Sequence, residues 1–370
     1  MGSMIPSLKS KAFLLRVGGA VVLCGVVVVF AFFLITHLTT VTFDRAAETA
    51  ATAAESVREA AKPKPALDKD AYDRGMIRLA HAQVRGTNST EATSTPSLWP
   101  VTGAPYPLPG ALLPFNRILA YYGNFYSKGM GILGEYPAGE MLAKLKSEVA
   151  RWEAADPETP VIPAIHYIAT TAQSEPGKEG KYLLRMPDDQ IDHALELAKQ
   201  VDGIVFVDLQ VGLSDIRKEI PLLEKYLMMP QVHLGIDPEF YMKSGHAPGR
   251  VIGTMDAEDV NWAAEYLADL VREHDLPPKV LVIHRFTQDM LTNYRNIRPL
   301  PEVQVVIEMD GWGEPAKKEN TYAHVITAEP VQFSGFKIFY KNDLRAPSTR
   351  LMSPKEVLDL TPSPSYIQYQ

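Results

Sequence analysis

Val232-His233-Leu234-Gly235-Ile236-Asp237-Pro238-Glu239-Phe240 is a short apolar run that ends in two carboxylates two residues apart. Alternate residues of a strand share a face, so a strand that persists to its end points Asp237 and Glu239 the same way. The plan recurs along the chain. Other apolar runs close on His166, on Asp208 and Gln210, on His284 and Arg285, on Glu308 and Asp310, and on Lys337. One polar strand end is ordinary, whereas six directed into one mouth would form a site.

Working outward from this run, eight strands are expected: Arg117 to Gly123, Val161 to Ile168, Gly203 to Val211, Val232 to Asp237, Lys279 to Phe286, Val303 to Asp310, Val331 to Tyr340 and Tyr366 to Tyr369. Helical patterns lie between most of them, at Ala138 to Ala154, Asp188 to Val201, Ser214 to Tyr226, Ala257 to His274 and Gln288 to Asn296, with weaker ones around Ala316 to Val325 and Pro354 to Leu360. Ser214 and Asp256 sit where N-caps are expected, and Pro187 and Pro354 near helix starts. Strands alternating with helices imply parallel pairing through crossovers, and closing eight of them gives an α/β fold, a (β/α)8 TIM-like barrel. It would lack its last helix, because the sequence stops directly after the eighth strand. An upstream helix, Tyr72 to Val84, is the candidate to cover that gap. The rival open doubly wound sheet lacks its phosphate fingerprint, since Tyr121-Tyr122-Gly123-Asn124 stands where Gly-x-Gly-x-x-Gly would be.

The 370 residues are 46% hydrophobic and 22% charged, a globular balance. A net charge of -7 with no basic stripe argues against nucleic acid as a partner. The single cysteine, Cys24, excludes an internal disulfide framework and a cysteine-based zinc site. The twenty residues from Val17 to Thr36 carry no charge, and Lys9, Lys11 and Arg16 precede them. That pattern predicts a single-pass helix through a lipid bilayer, with a cytoplasmic N-terminus and a periplasmic or extracellular barrel. A cleaved signal peptide is the rival, but the residues directly after the run, His37 to Asp44, offer no Ala-x-Ala site. Three regions result: residues 1–45 with the span, 46–113 with an Ala-rich helix and a Pro/Ser/Thr-rich linker arm, and 114–370 with the barrel. Asn88-Ser89-Thr90 in the arm matches the glycosylation sequon, a weak signal in such a tract.

In such barrels function resides at the C-terminal ends of the strands. The polar residues there are Tyr122, Asn124, His166, Asp208, Gln210, Asp237, Glu239, His284, Glu308, Asp310, Lys337 and Gln368, joined by aromatics that include Trp312 and Tyr340. Each has an ordinary structural explanation: Asp208 and Asp310 as loop caps, His166 and His284 satisfied by backbone, Glu308 and Lys337 as an internal ion pair. As a set they are costly to bury unless paired or used. Two schemes fit. In one, Glu239 donates a proton to a leaving oxygen while Asp310 or Asp237 is the partner carboxylate, as glycoside hydrolysis needs. Tyr122, His166, Asp208, Gln210, His284, Glu308, Trp312, Lys337 and Tyr340 would then bind the carbohydrate. In the other, a divalent metal bound by His166, Asp208, Asp237 and His284 activates water. Against it, no His-x-His or His-x-x-x-His pair occurs. The hydrolytic scheme calls for no cofactor.

Gly235-Ile236-Asp237-Pro238-Glu239 resembles the end of the fourth strand in family 18 chitinases, glycoside hydrolases built on (β/α)8 barrels. The resemblance implies Glu239 as proton donor, Asp237 as its orienting partner, and substrate contacts from Glu308-Met309-Asp310-Gly311-Trp312. A chitinase-like strand would carry further aspartates upstream, where this chain has His233 and Leu234. The competing expectation is a barrel without chemistry, an accessory subunit of a larger membrane complex, for example respiratory or photosynthetic, gripping it through the span and residues 62–113.

Overall fold

A computed structural model describes residues 66–82 and 98–370. Eight parallel strands form its centre: β1 (Arg117–Gly123), β2 (Val161–Ala172), β3 (Ile204–Leu209), β4 (Val232–Ile236), β5 (Lys279–Arg285), β6 (Val303–Met309), β7 (Phe333–Ile338) and β8 (Tyr366–Tyr369). Each pairs with the next in the chain, and β1 also pairs with β8, with Ile118 opposite Tyr366, so the sheet closes into a barrel. A short strand, Leu183–Arg185, runs antiparallel along the end of β2. The expected barrel is therefore present, with shifts of a few residues at strand ends.

The inner face explains the closure. Ala120, Ala164, Phe206, Val282, Val306 and Tyr366 point to the axis and are sealed from solvent, while Leu119, Val205, Leu234, Ile283 and Val305 point outward to the helices. Alternation along each strand fills both layers. Register then sets neighbours at the upper end, with Tyr122 beside His166, Asp208 beside Gly235, His284 beside Glu308, and Lys337 beside Gln368. Gly235 and Gly335 face inward. A Cβ on Gly235 would lie 2.4 Å from both Asp208 Oδ1 and His166 Nε2, and one on Gly335 3.1 Å from Glu308 and Tyr366, so both strands need a missing side chain there.

Three expectations are corrected. The upstream helix, α1 (Lys69–Leu79), does not cover the outside of β8. Tyr72, Met76 and Leu79 lie on one helical face and join Leu113, Ile118 and Phe333, so α1 plugs the N-terminal end of the barrel. The segment read as a tether is built into that floor where it is described, because Gln304 holds the backbone of Leu112 and Leu113 through three hydrogen bonds. The seam at β8 is covered instead from α2 (Ala138–Ala155), whose Trp152 indole donates to the Tyr369 hydroxyl at 2.9 Å. Val84 and the span Val17 to Thr36 lie outside the described residues, as does the sequon. Among the described residues no helix is long and apolar enough to cross a membrane.

The third correction concerns Gln288 to Asn296, which is two 3-10 turns around a two-residue strand rather than a helix. Buried Arg285 takes the carbonyls of Thr287, Gln288 and Leu291, and Asn293 adopts the left-handed region at φ 54°. Those carbonyls are unavailable to a helical ladder. The capping expectations divide: Asp256 caps α3 (Ala257–Glu273) with Asp259 in a capping box, whereas Asp215, one residue past Ser214, caps the turn at Ile216–Glu219.

Candidate functional site

A cavity of about 560 Å³ opens at the C-terminal end of the strands. Tyr122, Gln210, Asp237, Glu239, Asp310, Lys337 and Trp312 line it, each from an expected position. Asp237 and Glu239 share the cavity by a different route from the pleat. The strand ends at Ile236, Pro238 starts a 3-10 turn through Phe240, and Asp237 caps that turn by accepting from the Glu239 amide at 3.1 Å. Gln210 Nε2 approaches the other Asp237 oxygen at 3.4 Å. Asp310 is clamped by Lys337, whose ammonium lies 3.1 Å from its carboxylate and 3.9 Å over the Tyr122 ring.

A second polar layer lies below the cavity floor, fully sealed. His166 Nε2 and His284 Nε2 converge on one oxygen of Asp208, at 3.2 and 3.3 Å. The other Asp208 oxygen accepts from the Tyr122 hydroxyl at 3.1 Å. His284 Nδ1 reaches Glu308 Oε2 at 2.7 Å and Asp310 Oδ2 at 3.1 Å, with the aligned hydrogen bond going to Asp310. On the far side, His166 Nδ1 meets the Tyr366 hydroxyl at 2.5 Å and the Gln368 amide at 3.2 Å, and the ring stacks on Phe206. Neither oxygen of Glu308 has an aligned hydrogen-bond partner.

The two layers differ in proton affinity. Burial, reinforced by Asp310, pushes the Glu239 carboxyl up to about 7, and burial with Glu239, Asp310 and Asp208 nearby holds Asp237 well above the carboxylate range. Burial would also raise Asp310, but Lys337 and His284 outweigh it and keep its value low. Burial lowers His166 to about 4, which keeps it neutral, whereas His284 is raised despite burial by Glu308 and Asp208. The cavity thus offers one carboxyl that exchanges its proton near neutrality and one held ionised.

The proposed ligand set divides along the same line. His166, Asp208, His284 and Glu308 belong to the sealed layer rather than to the cavity wall. Tyr340 points outside the barrel, where its hydroxyl meets those of Tyr121 at 3.1 Å and a Glu148 carboxylate at 3.1 Å, so its assignment to substrate is corrected. Of the metal set, His166, Asp208 and His284 come together and Asp237 does not. Phe240, Phe286, Phe339 and Lys317 also line the cavity. Phe339 follows inward Lys337 by two residues, a parity signal in the sequence. Lys317 comes from a helix and has no such signal.

No protein-family model matches the chain, and no curated protein matches it. Among solved structures, it is similar to the mannanase man26 of Bacillus subtilis, at 12% identity and a TM-score of 0.36 over 69% of this chain and 80% of that one. It is similar also to the Bacillus subtilis mannanase BCman, at 12% identity and 0.33, with the same coverage. At these scores the likeness carries no argument about activity, and the barrel stands on its own strand pairing. Nothing in these matches speaks for family 18 chitinases.

Proposed function

We propose that the cavity binds a carbohydrate and hydrolyses a glycosidic bond, with Glu239 as general acid and Asp310 as the partner carboxylate. The observation that carries this reading is the position of Glu239: a carboxyl raised to about 7 in a cavity that also holds Asp310 clamped by Lys337. A group that keeps its proton near neutrality donates it to a leaving oxygen, and an ionised neighbour stabilises the positive charge that grows on the sugar ring. Asp237 orients the Glu239 backbone through its hydrogen bond to the amide. Trp312, 41% exposed at the cavity edge, offers a flat face for a sugar.

The test is a panel of glycans and aryl glycosides assayed with the wild type and with Glu239→Gln and Asp310→Asn. The expected result is hydrolysis that falls about 10²- to 10⁴-fold in Glu239→Gln. Hydrolysis that survives this substitution, or none by the wild type across the panel, overturns the reading. We propose further that Val17 to Thr36 anchors the protein in a bilayer, which predicts that deleting it moves the protein from the membrane to the soluble fraction. An unchanged distribution refutes the anchor.

A further inference from the structure

The sealed layer holds more ligand-type atoms than hydrogen bonding explains. His284 donates from Nδ1 to Asp310, so a neutral ring turns the lone pair of Nε2 towards Asp208 Oδ1, also an acceptor. Nε2 indeed has no aligned hydrogen-bond partner. Two acceptors facing one another need either a second proton on the ring or a cation between them. Asp208, Glu308 and Asp310 crowd this ring with three carboxylates, and Lys337 contacts only Asp310.

We propose that His166 Nε2, His284 Nε2 and Asp208 Oδ1 form a site for a divalent cation of the zinc class, one layer beneath the cavity floor. The spacing fits. Tetrahedral zinc with bonds of about 2.0–2.1 Å sets neighbouring ligand atoms about 3.3 Å apart, and both histidine nitrogens stand 3.2 and 3.3 Å from the aspartate oxygen. Gly235 provides the room, since a Cβ there would fall 2.4 Å from two of the three ligand atoms. Carboxylates hold the far nitrogen of His284, the outer arrangement that fixes a metal-binding imidazole. The far nitrogen of His166 has the Tyr366 hydroxyl, with Gln368 able to present either end of its amide to that pair. The three ligands come from β2, β3 and β5, so the ion would tie together strands distant in the chain. The site stands apart from the proposed hydrolysis, because the ligands do not line the cavity.

The experiment uses the full-length protein, stripped with a chelator and supplied with zinc or cobalt(II) both folded and during refolding, since the ligands are sealed. Metal is then counted after gel filtration, and the coordination sphere is read by X-ray absorption at the metal edge. The expected result is one ion per chain with two imidazoles in its sphere. Binding is lost in His166→Gln and Asp208→Asn, and Glu308→Gln weakens it about 10- to 100-fold. Failure to retain metal by either route, or a sphere without imidazole, overturns the site irrespective of whether any variant folds. So does wild-type affinity in a ligand variant that keeps its circular dichroism spectrum.

Discussion

His284 Nδ1 lies 3.1 Å from Asp310 Oδ2, and that contact joins the sealed layer of the barrel to its open cavity. The same ring faces Asp208 from its other edge. Glu308 and Asp208 raise its proton affinity despite burial, which favours a positive charge on the ring beside that of Lys337.

Replacing His284 with Gln therefore leaves Asp208, Glu308 and Asp310 facing a neutral amide. Breaking a buried charged network in this way costs about 3–5 kcal/mol. Urea unfolding at neutral pH should show a midpoint lowered accordingly, and an unchanged midpoint would mean the ring carries no charge.

Glu239 makes stability depend on pH. Asp310 and Asp237 face it from β6 and the end of β4, with Lys337 and His284 as the nearby cations. Its folded value, about 7, lies above the ordinary 4.5, so the folded state binds the extra proton. The stability this contributes is complete below the ordinary value and is lost as pH rises through about 7. Thermal midpoints of the wild type should fall between mildly acidic and neutral pH, and those of Glu239→Gln should fall less over the same interval. Parallel profiles would contradict the raised value.

Tyr340 and Trp312 separate wall from exterior. Tyr340→Phe removes hydrogen bonds to Tyr121 and Glu148 outside the barrel, so stability drops by about 1 kcal/mol while kcat/KM on any hydrolysed glycan stays constant. Trp312→Ala does the reverse, raising KM with little change in unfolding. Steady-state kinetics beside denaturation curves distinguish the two.

Two glycines should respond oppositely to a methyl group. Gly235→Ala forces the new carbon against Asp208 and His166, a destabilisation of about 1–3 kcal/mol. Gly139, exposed in the first turn of α2 with nothing near its Cβ position, should gain about 0.4–1 kcal/mol as Ala, through the unfolded chain. Paired denaturation measurements check both signs.

The barrel was legible in the sequence because each strand is an apolar run with a polar end, and both properties are local. The cavity residues were legible for the same reason. Depth was not: the pattern puts His166 and Asp237 alike at strand ends, whereas β2 runs on past His166 to Ala172 and buries it, and Asp237 comes just after the end of β4, at the cavity. Tyr340 was misread although parity from inward-facing Lys337 assigns it to the outside. Gln288 to Asn296 was misread because its conformation is imposed by Arg285 from the preceding strand and by Asn293, rather than by periodicity. The floor escaped notice because α1 buries only a few residues, in a stretch otherwise rich in proline.

That floor also gives the barrel a direction. Residues from Ala66 onward reach it at the stoppered end, and the opening lies at the other. A large ligand can therefore reach the rim without meeting α1 at the base of the vessel.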